Sequence, residues 1–403
     1  NASGVNVSGA GEVIAIHSRG LRVIGADVSG DLIGLQFWDV NDSVIEGVVA
    51  SGDLVGVNIT GNNDSVVDSN VSYNRGTGIV IVGNNDSVVN STVWENYGNG
   101  TVIVGSHDPI VNSNVSGNGR TGIIIVGSHD PIVNSTVDWN GNGIDISGSD
   151  DPMLNITVWG NYGNGIVIVG SHDPIVNSTV GGNGGGGVNI TGDYDPIVNS
   201  DVGGNTYGIN VTGDDDYMVD LDVSNDITGI IIVGSNDSVA NSSVCCNTFA
   251  IDIIGSNDSV VNLDMGDNNY GVAMVGSHDS IMDSTVSGSS YGVNVTGGYD
   301  SIIGDRLQGG GLFLTGPYYE VVANDTVNGG PLVYLYNVTG YTVRLAGQVI
   351  AVDSKGVRVI GVNVSYATVG VQFWDVNDSV IEDIVASGDL VGVNITGNND
   401  SVV

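Results

Sequence analysis

Positive charge is the scarcest property of this chain. Of 403 residues only 8 are Lys or Arg, against 45 Asp or Glu, for a formal charge of −37. Phosphate recognition needs clustered cations, so the composition argues against nucleic acid as a partner. It argues against an anionic lipid surface on the same ground. No apolar run approaches the ~20 residues of a membrane helix, so no membrane insertion is expected in this segment. The two cysteines, Cys245 and Cys246, are adjacent and build no disulfide framework. A surface turn pair and a vicinal or intermolecular disulfide both remain open. No stretch has helical periodicity. No signal peptide is legible, yet the chain starts at Asn1 rather than Met, so a leader is expected to have been removed or left out.

What is present is glycine, 64 residues of it, and a hydrophobic fraction of 41%. That fraction is mostly Val and Ile, which favours strands over disorder. The chain is repetitive. Units of 21 or 22 residues, aligned on the Gly of "GIVIVG", run from Gly34 to Gly311 and resume at Gly370 and Gly392. After the Gly, the first and third residues are apolar, as in Ile79 and Ile81. This period-two alternation predicts a strand with one buried face. A turn reading "GNND" or "GSHD" follows, then a second strand such as "SVVNSTV", then a Gly/Asn-rich turn. Short strands at a fixed period predict a solenoid whose coils stack ~4.8 Å apart. Like residues then form columns. Asn90, Asn112, Asn134, Asn155, Asn177, Asn199 and Asn241 are expected to make an asparagine ladder.

Coils of this length with "IVNSTV" and "SVVDSNV" cores resemble the right-handed parallel β-helices of the PbH1-repeat type, the carbohydrate-binding and sugar-hydrolase domains that include NosD-like proteins. The segment "GGPLVYLYNVTGYTV…AGQVIAVDSKGVRVIGVNVSYATVGVQFWDVNDSVIE" is similar to archaeal cell-surface proteins with NosD-like repeats. The fold class implied is all-β, a right-handed parallel β-helix with coils of 21–22 residues. Activity is not implied, because such a fold hosts many functions.

A longer repeat overlies the short one. "QFWDVNDSVIE" begins at Gln36 and again at Gln372, an offset of 336 residues that extends back until Asn1 aligns with Asn337. Residues 1–336 are therefore read as one super-repeat of about sixteen coils, irregular over 305–336. Residues 337–403 open a second copy, expected to continue the same solenoid. The chain stops at Val403 within a unit. A piece of a longer array is expected, with head-to-tail docking of subunits as the alternative.

Eight residues after each repeat Gly stands an Asp, from Asp42 through Asp300 and again at Asp378 and Asp400, with only Tyr319 breaking the series. A catalytic Asp is needed once, whereas this one recurs in every coil. An Asx-turn, with the carboxylate accepting an N–H two residues on, is the expected role. Stacked carboxylates repel by roughly 1 kcal/mol per pair even in water, so backbone donors or Ca²⁺ or Na⁺ along the column must offset them. His107, His129 and His172 each precede a column member (Asp108, Asp130, Asp173). They read as a tolerant turn position or as candidate Zn²⁺ or Cu²⁺ ligands, copper being what the NosD resemblance implies. No complete metal site assembles in the sequence, and no cofactor is required.

Asn-x-Ser/Thr occurs 25 times. Asn41, Asn63, Asn85, Asn236, Asn257, Asn377 and Asn399 each precede a column Asp, and each is followed by Ser after that Asp. Where the place before Asp is not Asn, Pro often follows, as at Pro109, Pro131 and Pro174. A backbone constraint would accept Pro in both settings, whereas a glycan acceptor would not. Covalent N-glycans are therefore expected at these turns. A second outward column comprises Asn58, Asn189, Asn210, Asn294 and Asn394, and further acceptors are Asn90, Asn134, Asn155 and Asn177.

Arg19, Arg22, Arg306, Arg344, Lys355 and Arg358 lie near the super-repeat junction or its copy and are candidate interface residues. The preferred reading is a structural, glycosylated, acidic β-solenoid at the cell surface or outside it, forming a fibre, sheath or surface layer with copies of itself. A carbohydrate-binding adhesin using Trp94, Trp139 and Trp159 is the alternative. A polysaccharide lyase or hydrolase, or a NosD-like copper protein, ranks below both.

Overall fold

The computed structural model describes residues 3–9 and 11–403. Its regular structure is all strand, with no helix among the described residues. The strands coil into a right-handed parallel β-helix, as expected. Contacts divide the chain into two units, Asn1–Thr212 and Gly213–Val403.

In the first unit each coil has three strands, for example Ile79–Val82, Ser87–Val89 and Thr92–Trp94. Successive coils pair parallel and in register, Ile79 with Thr101, Val88 with Ile110 and Val93 with Val115. The sequence suggested two strands per coil. The second is split by Asn90, which turns the chain at φ 50°. Asparagine tolerates this left-handed conformation better than other side chains, and Asn112, Asn134, Asn155, Asn177 and Asn199 repeat the corner at φ 47–52°. Ile79, Ile81, Val88 and Val93 point inward and are fully buried. Each such side chain contributes about 1.5–3 kcal/mol by leaving water.

Polar columns run inside the same wall. The Ser69 N–H donates to Ser91 Oγ (3.2 Å), and the Ser91 hydroxyl donates to the Val89 carbonyl (2.9 Å). Asn74 gives both its N–H and its Nδ2 to Asn96 Oδ1 (3.0 and 2.8 Å), and Asn96 repeats this to Asn118. The series continues through Asn140, Asn161 and Asn183. This buried ladder was not foreseen. The foreseen one also exists, but outside, at the corners: Asn112 Nδ2 donates to Asn90 Oδ1 (3.2 Å) and Asn134 Nδ2 to Asn112 Oδ1 (3.2 Å).

The second unit builds the same coil, as in Phe249–Ser256, Ser259–Val261 and Asp264–Gly266. Its last long strand of this stack is Leu312–Leu314. At Asn328–Gly329 the chain reverses, pairing Val327 antiparallel with Gly330. Residues 330–403 then stack among themselves. Gly330–Tyr336, Gln348–Val352, Val369–Asn377 and Val391–Asn398 pair parallel, around a core that includes Val349, Val359, Val371, Phe373 and Ile381.

This second stack covers the open edge of Leu312–Leu314. Gln348 Oε1 accepts the Leu312 N–H (2.9 Å), and its Nε2 donates to the Leu312 carbonyl (2.6 Å). Gln372 does the same for Leu314 (3.3 and 2.7 Å), and Trp374 Nε1 adds a bond to the Leu314 carbonyl (3.3 Å). A primary amide offers a donor and an acceptor side by side, as a neighbouring strand does. Two glutamines thus stand in for the missing strand at an edge that would otherwise template aggregation.

Candidate functional site

The aspartate column is internal. Asp64, Asp86, Asp108, Asp130, Asp151 and Asp173 are almost wholly buried. Each Oδ1 accepts the N–H of the column residue one coil earlier, as in Asp64 N to Asp86 Oδ1 and Asp86 N to Asp108 Oδ1 (both 2.7 Å). The expected Asx-turn is therefore wrong in its partner: the bond runs between coils, 21 or 22 residues apart, not within the turn. The other oxygen, Oδ2, is buried without a hydrogen-bond partner in these six residues. It packs against the Gly three places earlier. A Cβ on Gly83 would lie 2.5 Å from Asp86 Oδ2 and 1.5 Å from the Gly61 carbonyl oxygen, so this place admits only glycine.

Burial pushes these carboxyls up, to about 7 at Asp64, Asp108 and Asp173 and to about 6 at Asp86 and Asp151. The backbone donor partly opposes that rise, and at Asp64, Asp108, Asp151 and Asp173 neighbouring carboxylates add to it. The second unit repeats the pattern at Asp237 and Asp279, both about 7, and Asp258, about 6. A raised carboxyl keeps its proton to higher pH, and a protonated carboxyl does not repel its neighbour.

Three column assignments change. Ser43 and Ser379, not Asp42 and Asp378, hold the inward place, donating their N–H to Asp64 and Asp400 Oδ1 (2.8 and 2.9 Å). The pairing slips by one residue after Trp38 and after Phe373. Asn41 and Asn377 accordingly align with Asn62 and Asn398, not with Asn63 and Asn399. Glu320 rather than Tyr319 continues the series, its Oε2 accepting the Asp300 N–H (2.7 Å), and burial pushes it up to about 8.

His107, His129 and His172 turn outward at φ 65–67°. His107 and His129 stack with ring centroids 4.9 Å apart, and His172 stacks on Tyr194. Asp108, Asp130 and Asp173 face inward, so the structure does not bring these candidate ligands together. No group of three His, Cys, Asp or Glu suited to a metal exists among the described residues. The Cys245 and Cys246 sulfurs lie 2.9 Å apart, and the shared hydrogen bond together with burial pushes Cys245 up to about 12.

The candidate acceptor asparagines all reach the surface. Asn63, Asn85, Asn236, Asn257 and Asn399 are exposed at turns with positive φ. Asn90, Asn134, Asn155, Asn177 and Asn294 are exposed, and Asn41, Asn58, Asn189, Asn210, Asn377 and Asn394 half-exposed. The candidate interface cations sit against carboxylates of the next coil: Arg19 with Asp42, Arg22 with Glu46 (2.9 Å), Lys355 with Asp378 (3.0 Å) and Arg358 with Glu382 (3.7 Å). Arg306 and Arg344 are exposed.

The tryptophans do not form a single row. Trp94 and Trp159 share one register place three coils apart, while Trp139 lies one residue further along its coil. Trp139 lies flat over Gly160, and Trp159 over Gly181 and Gly182. Between Trp139 and Tyr73 opens a groove of ≈ 560 Å³ floored by Gly117 and Gly119 and walled by Tyr73, Glu95, Tyr97, Trp139 and Tyr162. Tyr97 and Tyr162 are among the most exposed large hydrophobic residues of those described, at 75% and 78%. Sequence reading missed them, although "NYGNG" occurs at both Asn96–Gly100 and Asn161–Gly165.

The second unit has an apolar cleft of ≈ 480 Å³. One wall is a ladder of Phe249, Tyr270 and Tyr291, stacked 4.5 and 4.6 Å apart, and the other is Thr368, Val369, Leu390 and Val391. Asp252, Asn294 and Asn394 are its polar groups, and burial raises the Asp252 carboxyl.

Comparison with known proteins gives a family. The family described as "Periplasmic copper-binding protein (NosD)" matches residues 2–162 and 62–227, together more than half of the chain. No curated protein matches. Among solved structures, the Azotobacter vinelandii mannuronan C-5 epimerase AlgE6 A-module is 13% identical over 72% of this chain and 90% of its own, with a TM-score of 0.44. The periplasmic alginate epimerase AlgG is 12% identical over 76% and 77%, at 0.40. The Dettilon tailspike protein is 12% identical over 64% of this chain, at 0.43, and this chain spans 62% of that one.

Proposed function

The chain belongs to the NosD family, and from that premise we propose that it is a structural, N-glycosylated β-helix of the cell surface that assembles with copies of itself. Repetition carries this reading. The inward Val and Ile, the aspartate, serine and asparagine columns and the corner asparagines recur coil after coil, serving stiffness rather than a unique centre. The acceptors Asn63, Asn85, Asn236 and Asn257 stand outside this framework on exposed turns, where glycans add bulk without disturbing the core. In this reading the chain carries no reaction. Glycopeptide mapping of the native protein tests it: modified Asn63, Asn85, Asn236 or Asn257 is expected, and bare asparagines throughout would overturn it.

The family description names copper. The donors present do not fit such a site: two stacked imidazoles, with the Asp150 carboxylate 3.7 Å from the His129 ring, and one pair of adjacent thiols are separate groups, and no group of three His, Cys, Asp or Glu suited to a metal exists among the described residues. We therefore assign no copper chemistry to this chain.

A carbohydrate-binding role is the second reading, favoured by the groove over Gly117. A bare glycine floor between aromatic walls, with the Glu95 carboxylate beside it, suits a pyranose ring stacked on Trp139. Trp139→Ala is expected to abolish retention on the polysaccharide that the wild type binds. Equal retention of both proteins would sink the groove as the site.

A further inference from the structure

The 336-residue repeat places one surface in the chain twice, and only one copy is covered. In the second copy Ile350, Val352 and Gln372 are fully buried and Trp374 is half-buried, and Gln372 and Trp374 bond to the Leu314 carbonyl on the Leu312–Leu314 edge. Their counterparts in the first copy are Ile14, Ile16, Gln36 and Trp38. There Ile14 is 57% exposed, Ile16 51% and Trp38 59%, and Gln36 is half-exposed. Two isoleucines, a tryptophan and an unspent amide on neighbouring strands form an apolar patch of the kind that marks an interface. The strands that carry them pair in the same way in both copies, Ile14 with Gln36 and Ile350 with Gln372. The face is therefore already in the geometry that caps an edge.

We propose that this first-copy face is a docking surface for the Leu312–Leu314 edge of a second copy of the chain. Gln36 would take the Leu314 N–H and carbonyl as Gln372 does. Ile14, Ile16 and Trp38 would bury the apolar surface around it. Because that edge is capped in its own molecule by Gln348 and Gln372, docking proceeds by exchange: the first-copy coils of one molecule replace residues 337–403 of the next. One position differs. Glu12 stands where the second copy has Gln348. A carboxylate accepts the Leu312 N–H but has no donor for the Leu312 carbonyl. The chain therefore prefers its internal cap, and exchange is the weaker of two competing contacts.

This deepens the self-assembly part of the proposed function and rests on it; the glycan part is read separately by glycopeptide mapping. The test is sedimentation of the 403-residue chain. Gln348→Ala/Gln372→Ala, which uncaps the edge from within, is expected to give concentration-dependent oligomers. Adding Ile14→Asp and Gln36→Ala to that chain should return it to monomer, and adding Glu12→Gln instead should tighten association about tenfold or more. An uncapped chain that stays monomeric, or that associates equally well with Ile14→Asp and Gln36→Ala present, would overturn the proposal. Far-UV circular dichroism checks that the strands persist. If the double variant loses them, Gln348→Glu, which gives the second copy the residue of the first, is read in the same way.

Discussion

Residues 12–62 and 348–398 are nearly the same sequence in two settings. Their inward faces agree: Phe37 and Phe373 are both buried to 1% exposure. Their outward faces do not, since Ile14 is exposed and Ile350 is buried. Period-two alternation therefore decides which side chains enter the coil's own core. It does not decide what becomes of the other face, which depends on whether a strand edge lies against it. A polar-looking position such as Gln372 can be wholly buried when its amide replaces a strand.

The largest expected effect tests what lies just beyond the two copies' shared serines, Ser43 and Ser379, where the acid column starts. The column carboxyls are raised in the folded state, so their contribution is full below the unfolded carboxyl range near pH 4 and is lost as pH rises through about 6 to 7. Thermal unfolding should therefore occur at higher temperature at pH 5 than at pH 8, opposite to ordinary acid denaturation. Added Ca²⁺ should leave the trend in place if protons, rather than cations, settle the column. A Tm that rises from pH 5 to pH 8 would refute the buried column.

Next in size, Phe37→Ala and Phe373→Ala should each cost about 3–5 kcal/mol in denaturant unfolding, because the inward faces are equivalent. A large difference between them would break the equivalence. The outward faces should separate. Gln372→Ala strands a backbone N–H and carbonyl and is expected to cost about 1–3 kcal/mol, whereas Gln36→Ala should stay within about 0.5 kcal/mol. Smallest of all, Arg19→Ala and Lys355→Ala remove exposed ion pairs and should each change stability by less than about 1 kcal/mol.

Much of the fold was legible because stacking repeats every requirement. Ile79, Ile81, Val88 and Val93 declared the core, and the recurring Gly83 and Asp86 declared the turn. The split of the second strand was not legible. It depends on the backbone angle at Asn90, which composition does not reveal. The Asp42 and Asp378 assignments failed because a single slip in pairing after Trp38 or Phe373 leaves sequence spacing intact while rotating the side chains that follow. The Asp86 carboxylate was legible as structural, but not its partner, because a bond between coils and one within a turn ask for the same residue. The groove at Gly117 was half visible: Trp139 stood out, while Tyr97 and Tyr162 became a wall only when coils three apart were stacked. The edge cap was invisible, since Gln348 and Gln372 match an edge that is 36 and 58 residues away in the chain.

The most direct test of the account as a whole is native mass spectrometry of the protein taken from its source organism. Glycan mass beyond the polypeptide, carried by species containing more than one copy, is the predicted result. A single bare polypeptide chain would contradict it.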